Sequence, residues 1–388
     1  MKITSVSTFQ VSLIWNGPTI PTEDRQVVPL DVYPEFNHHY DFNPVPGSTV
    51  QHIFVEVRTD EGVDGFYGPI DAQQEFIIQS LLAPFLQGKD PLAIEALHDQ
   101  MLRLHRHGRT GLFVTGLSAV DLALWDLKGK AFGQPVYRLL GGPTRPTIPA
   151  YASMLGASVE PGRAAARAES VKDEGYTAQK WFFRYGPGSG QEGLEKNLAL
   201  AFALREAVGP HYPLAFDAFN GWTEPYAIEM LRKLEPVHPM WVEEVLPPER
   251  ISGLARIRTA CRIPLATGEH TYTRWQVKEL LSNGALDFIQ TDPDWTGGIT
   301  EQVKICDLAS AFDIPVVAHG HSLLPALHVA AAQPPAVVPM VEYLVNLQGV
   351  RQVLFKDMIA PEHGSLRLPE LPGLGLVIDW ETAHRVSF

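Results

Sequence analysis

Asp217 closes the apolar run PLAF, Glu243 closes MWV and Glu269 follows PLATG, at steps of 243 − 217 = 26 and 269 − 243 = 26 residues. An ionisable group at the end of an apolar strand is where a β/α barrel carries its chemistry. Equal steps place the three acids on adjacent strands at equal height. A single acid of this kind is ordinarily a helix N-cap or a solvated loop end. Three that converge repel one another unless a hard cation sits between them, and an all-oxygen set suits Mg2+ better than zinc.

The next runs end in Asp292 after LDFIQT, His319 after PVVA and Glu342 after PMV. A carboxylate on one strand beside a histidine on the next orients the imidazole and raises its basicity, as a general base requires. Taken alone, His319 also reads as a structural histidine, and His321 of the same His-Gly-His is an alternative for the role. A two-histidine metal site from the pair is the weaker reading, because one residue separates them and the acids already supply a cage. Lys180 could set an ammonium beside a substrate carboxylate; its ordinary alternative is a snorkelling surface lysine. The glycine-rich RYGPGSGQEG (184–193) fits no phosphate-binding spacing and reads as a plain loop.

Such residues need a frame that repeats. From Pro149 onward eight short apolar runs alternate with helical stretches: PAYASML, AQKWFF, PLAFDAF, MWVEEV, PLATGE, LDFIQTD, PVVAHG and MVEYLV. Strands separated by helices imply a parallel sheet, and eight such units fit an α/β fold of the (β/α)8 TIM-barrel type; a doubly wound sheet is the competitor. Before the barrel, IFVEVRTDEGVDGFYG (53–68) predicts a hairpin turning at Asp60-Glu61-Gly62. Residues 115–133 predict a helix with one buried face, through Leu117, Val120, Leu124, Leu127 and Ala131. The expected division is an N-terminal α+β capping domain at 1–142, a barrel at 143–361 and a Pro- and Gly-rich tail at 362–388 returning to the cap.

The chain has 388 residues, 45% hydrophobic and 19% charged, with a net charge of −13. That size and composition describe a globular protein larger than one simple core. The negative charge, without any long Lys/Arg run, argues against nucleic acid or an anionic membrane as partner. Two cysteines, Cys261 and Cys306, supply neither a disulfide framework nor a thiolate metal site. With no signal-peptide core and no membrane-spanning run, the cytoplasm is the expected compartment.

Together these motifs resemble the enolase superfamily, mandelate racemase subgroup. DLALWDLKGKAFGQPVYRLLGG (121–142) is similar to that family's domain-joining segment, FDAF, WVEEV and ATGEH to its metal-ligand strands, and DPDWTGG and AHGH to its next two strands. The resemblance implies that Asp217, Glu243 and Glu269 bind Mg2+, with Glu243 preferred to Glu244 because the family keeps the first of the pair. It implies Asp292 and His319 as the acid/base dyad and Glu342 as the eighth-strand glutamate on the substrate or its enolate. KWFFRYGPGSGQEG, GEH and HGH are most similar to L-rhamnonate dehydratase and related acid-sugar dehydratases. This marks Lys180 as catalytic and His270 and His321 as substrate-side residues. A symmetric homo-oligomer acting on a small sugar acid is the corresponding expectation.

One departure bears on the reaction. Racemase-type members carry Lys-x-Lys on the second strand, whereas here Phe182 takes the place of the second lysine. Dehydration through an enediolate to a 2-keto-3-deoxy acid is therefore expected. The rivals are a racemase, epimerase or cycloisomerase using the same intermediate, and a non-catalytic sugar-acid binder. A long N-terminal segment, residues 15–50, also departs from short-loop relatives, and its Arg25, His38 and His39 are candidates for setting specificity.

Overall fold

Alternating burial along the first strands builds an antiparallel sheet from β1 (Ile3–Ile14), β2 (Thr49–Thr59) and β3 (Gly65–Ile70). The computed structural model describes residues 1–19, 22–33, 35 and 44–386. β2 and β3 form the expected hairpin, with Gly62 at φ +74°, a left-handed turn conformation that glycine adopts without steric cost.

The helix expected at 115–133 spans Leu112–Ala131, and it is buried on nearly all sides rather than on one face. One side packs on the cap sheet and the other on the helices around 293–310. Its polar residues are bonded across both boundaries. Asp126 accepts from Phe66 N and Leu374 N, each at 2.9 Å, and Trp125 Nε1 donates to Thr300 Oγ1 at 2.9 Å. A helix wedged between two layers has no solvent face to keep polar.

The barrel runs through β4 (Thr147–Ser153), β5 (Gln179–Phe182), β6 (Leu214–Asp217), β7 (Val242–Glu243), β8 (Leu265–Thr267), β9 (Phe288–Ile289) and β10 (Val341–Leu344). β4 to β9 are parallel neighbours in sequence order, and β10 pairs with β4. The seventh apolar run, PVVA, closes the remaining gap: Val316 bridges Ile289 in parallel, and Glu342 N donates to Ala318 O at 3.4 Å. A doubly wound sheet has two edges and is thereby excluded. Beneath the strand ends the interior is filled by Tyr151 and Trp241, edge to face at 5.6 Å, among Ala178, Ala215, Ala266 and Val317. The barrel floor is packed, so chemistry is confined to the other end.

The segment after residue 361 first lays β11 (Ser365–Arg367) antiparallel on β4, and only then returns to the cap, where β12 (His384–Val386) pairs with β1. The glycine-rich stretch read as loop becomes helix from Gly190, the start of Gly190–Val208. A Cβ at its Gly193 would run into the Ser189 side chain, so the tight entry needs glycine there. No described helix is long and apolar enough to cross a membrane. Cys261 and Cys306 are buried free thiols.

Candidate active site

Strand register brings the charged residues together. Asp217 on β6 stands opposite Glu243 on β7, and Lys180 on β5 opposite Ala215 on β6. Lys180 Nζ lies 2.7 Å from Glu243 Oε2, 2.9 Å from Glu342 Oε1 and 3.3 Å from Asp217 Oδ2. With 1% of its surface exposed it is no snorkelling lysine. Burial works against its charge, but Glu243 and Glu342 hold its pKa well above the ordinary value.

Negative charge still exceeds positive. Burial, only partly offset by Lys180, pushes Asp217 up to about 7 and Glu243 up to about 8; burial also carries Glu269 up to about 7. Carboxyls driven towards neutrality at this density mark a place for a cation. Two buried acceptors, Glu243 Oε1 and Asn220 Oδ1, have no hydrogen-bond partner among the described residues. An all-oxygen set with spare acceptors fits a hard divalent ion such as Mg2+.

Adjacent glutamates serve different neighbours. Glu243 Oε2 accepts from Lys180 and, at 2.8 Å, from Gln290 Nε2. Glu244, at φ +49°, turns aside: its Oε2 accepts from Asn220 Nδ2 at 2.8 Å and its Oε1 lies 2.7 Å from His270 Nδ1. Glu244, Glu269 and His270 bring ligand atoms within 4.8 Å of one another. Burial would lower the His270 pKa, but Glu244 raises it to about 9, which makes its imidazolium the positive charge of that group.

His319 is oriented as a base should be. Its Nδ1 bonds Asp292 Oδ2 at 2.9 Å and its Nε2 faces Glu269 Oε2 at 3.2 Å. Asp292 is itself fixed by Asp294 N at 2.8 Å, by Ser322 N at 3.2 Å and by a short bond from Ser322 Oγ. Burial works against the imidazolium, yet Glu269 and the Asp292 bond bring the His319 pKa up to about 10. One carboxylate, Glu269, thus belongs both to the acid cluster and to the environment of His319. Glu342 closes the circle by accepting from Gly320 N at 2.8 Å; burial raises its pKa, but Lys180 and His319 more than reverse that.

The remaining expected residues are placed differently. His321 stands 6.5 Å from His319, ring centroid to ring centroid, and its ring nitrogens face Asp294 and Arg351 rather than the acids around His319, so the two do not form a metal pair. Arg25 is paired with Asp31 at 2.5 Å and donates to Gln26 O, in a segment crossing the barrel mouth. Glu23 N bonds Gly156 O and Val27 N bonds Phe183 O, each at 2.8 Å, so residues 22–33 lie over the loops after β4 and β5. His38 and His39 lie outside the described residues. Phe182 is buried, with its ring centroid 5.4 Å from Lys180 Nζ.

Sequence reasoning missed Trp295, whose ring stacks on His319 at 5.0 Å and lies 4.7 Å from that of His321. It missed Gln290, Asn220, Asp294 and Ser322 as well. Each sits within three residues of a recognised strand-end group, so the loop just past each strand was the available signal.

Residues 163–383 match the family described as enolase C-terminal domain-like, and residues 43–141 match the mandelate racemase / muconate lactonizing enzyme N-terminal domain. The chain is 35% identical over 337 residues to the arabinonate dehydratase of Saccharolobus solfataricus, covering 84% of this chain and 88% of that one. It is 33% identical over 376 residues to the L-rhamnonate dehydratase of Saccharopolyspora erythraea, covering 94% and 92%. Among solved structures it superposes on rhamnonate dehydratase from Gibberella zeae complexed with Mg with a TM-score of 0.83 at 30% identity, covering 98% of this chain and 95% of that one.

Proposed function

Because the chain belongs to the mandelate racemase / muconate lactonizing enzyme family, with its enolase-like C-terminal domain, we propose that it is a Mg2+-dependent dehydratase of a sugar acid. It takes the proton α to the carboxylate, expels the β-hydroxyl as water and leaves a 2-keto-3-deoxy acid. The observation that carries this reading is the His319–Asp292 dyad set across the barrel mouth from buried, apolar Phe182. The names of the dehydratase relatives, and of the structure complexed with Mg, point the same way.

Asp217, Glu243 and Glu269 would hold Mg2+, which when bound supplies the Lewis-acid charge that stabilises an enediolate. Lys180 sets an ammonium where the substrate carboxylate's charge develops. His319 Nε2 takes the C2 proton in its neutral form, favoured once the Glu269 charge that raises its pKa is engaged by the cation, with Asp292 holding the ring in its orientation. Loss of the 3-hydroxyl needs a proton donor, and the imidazolium just formed is one. If the same group serves both steps, both departing groups lie on one face and the elimination is syn. The product enol then tautomerises to the ketone. A racemase needs a second titratable group on the opposite face, and the family's place for it is occupied by Phe182.

The test is a panel of aldonic and aldaric acids read for 2-keto-acid formation, repeated with His319→Asn. Dehydration and α-deuterium exchange from D2O should fall together in the variant, by at least the ~10²-fold typical of a general base. Exchange that survives in His319→Asn, or interconversion of C2 epimers by the wild type, would favour the racemase reading instead.

A further inference from the structure

Beside the His319–Asp292 pair stands a second pair of the same types, two residues further along the chain in both partners. His321 Nδ1 lies 3.2 Å from Asp294 Oδ2, and its ring is within 12° of parallel to that of His319. The two histidines differ at the other nitrogen. His319 Nε2 faces the site, whereas His321 Nε2 is closed by Arg351 Nη1 at 2.7 Å.

Arginine offers only donors, so His321 Nε2 must present its lone pair and the single ring proton sits on Nδ1, towards Asp294. Among the described residues neither His321 Nδ1 nor Asp294 Oδ2 has a hydrogen-bond partner, so the 3.2 Å approach between them is the one polar contact each makes there. Burial and then Arg351 hold the His321 pKa below its ordinary value. With Nε2 bonded to Arg351 and Nδ1 facing the Asp294 carboxylate, the imidazole is held in one tautomer, which suits it to hold geometry rather than to pass protons.

The pair also reaches the other domain. Asp294 Oδ1 accepts from Gln74 Nε2 at 3.0 Å, and the Asp294 charge, after burial, helps hold the neighbouring Tyr67 hydroxyl well above its ordinary pKa. Arg351 Nη2 donates to Pro69 O at 3.1 Å. Towards the site, Asp294 N donates to Asp292 Oδ1 at 2.8 Å. Polar contacts therefore run from cap residues 67–74 to the carboxylate that orients His319, directly through Asp294 and, on a second arm, through Arg351 and His321 to Asp294. Gln74, Tyr67 and Asp294 are all buried, so each link, once cut, leaves a group without water to replace its partner.

We propose that His321, Asp294 and Arg351 are positioning residues: a brace that makes correct seating of the cap a condition for correct aim of the His319 imidazole. This rests on His319 being the base. On the aldonic acid that the wild type dehydrates, His321→Ala should lower kcat roughly 10- to 100-fold with little change in KM, the scale expected when a reacting group is misplaced rather than removed. The isotope effect on kcat with α-deuterated substrate should rise. His321→Asn keeps a donor at the Nδ1 position and should recover part of the loss. Tyr67→Phe, made on the cap, should be non-additive with Asp294→Asn. A fall in thermal stability with kcat and the isotope effect unchanged would overturn the proposal, because the pair would then be mere packing.

A second measurement needs no substrate. In protein labelled with 15N-imidazole histidine, His321 should appear at pH 7 as the neutral Nδ1–H tautomer, and Tyr67→Phe should shift the His319 ring resonances. An Nε2–H or doubly protonated His321, or unmoved His319 resonances, would overturn the brace even where no acid in the panel is turned over. Failure of the panel alone would count against the dehydratase reading instead.

Discussion

At Lys180 one buried ammonium answers three carboxylates, and the effect of removing it depends on whether a cation is present. Lys180→Met leaves Asp217, Glu243 and Glu342 facing one another without a counter-charge. Breaking a buried pair in this way costs about 3–5 kcal/mol. The variant should melt well below the wild type in EDTA, and Mg2+ should raise its melting temperature by more than it raises that of the wild type. Equal gains in the two proteins would contradict the cation site. Of the adjacent glutamates, Glu243 keeps a free buried oxygen while both oxygens of Glu244 are engaged. Calorimetric titration should therefore show Glu243→Gln weakening Mg2+ binding more than Glu244→Gln does. The reverse order would assign the ion to the Glu244, Glu269 and His270 group. The 26-residue steps were legible because a barrel repeats its strands. The direction Glu244 takes was not, because it depends on a left-handed backbone at that one residue.

Short elements carry most of this molecule's regularity. β7 and β9 are two residues long, and the seventh barrel run is a bridge rather than a strand, yet all three were legible as apolar runs because strands buried on both faces need no alternation. The helix Leu112–Ala131 was legible in place but not in surroundings, since its second buried face packs against residues nearly two hundred positions away. One histidine reports on that junction. His328 Nδ1 accepts from Tyr137 N and its Nε2 donates to Leu374 O, each at 3.1 Å, tying the joining segment to the tail. Burial lowers its pKa to about 4, against about 6.5 for the free group. The unfolded chain therefore takes up the proton first as pH falls. The stability this group contributes is intact above about pH 6.5 and is lost towards pH 4, by about 3 kcal/mol in all. Denaturant titrations between pH 7 and 4 should show the wild type losing more stability than His328→Asn, which keeps the acceptor for Tyr137 N but cannot titrate. Identical slopes would refute the assignment.

At the scale of the whole molecule, the barrel supplies the chemistry, while residues 22–33 lie across its mouth and the cap leans on the dyad. Deleting residues 20–42 should alter which sugar acids are turned over more than it alters metal binding, because Asp217 and Glu243 lie on strands and Glu269 two residues past one, while residues 22–33 bond to the loops after β4 and β5. A folded deletion variant with an unchanged substrate profile would remove the segment from specificity. The two-part architecture was legible as a change from hairpin and helix to repeated strand and helix. The contacts of residues 22–33 were not, since no periodicity encodes where an irregular segment lies. The pairing of β12 with β1 joins Val386 to Gln10, positions 386 − 10 = 376 residues apart. At about 5–20 residues per second of synthesis, that edge of β1 waits roughly 20–75 s for its neighbour to be made. Only near the end of that time, once β10 has been made, does a complete barrel hang from a sheet with an open seam, so the nascent chain still offers an edge for strand capture by another copy when it is already mostly folded.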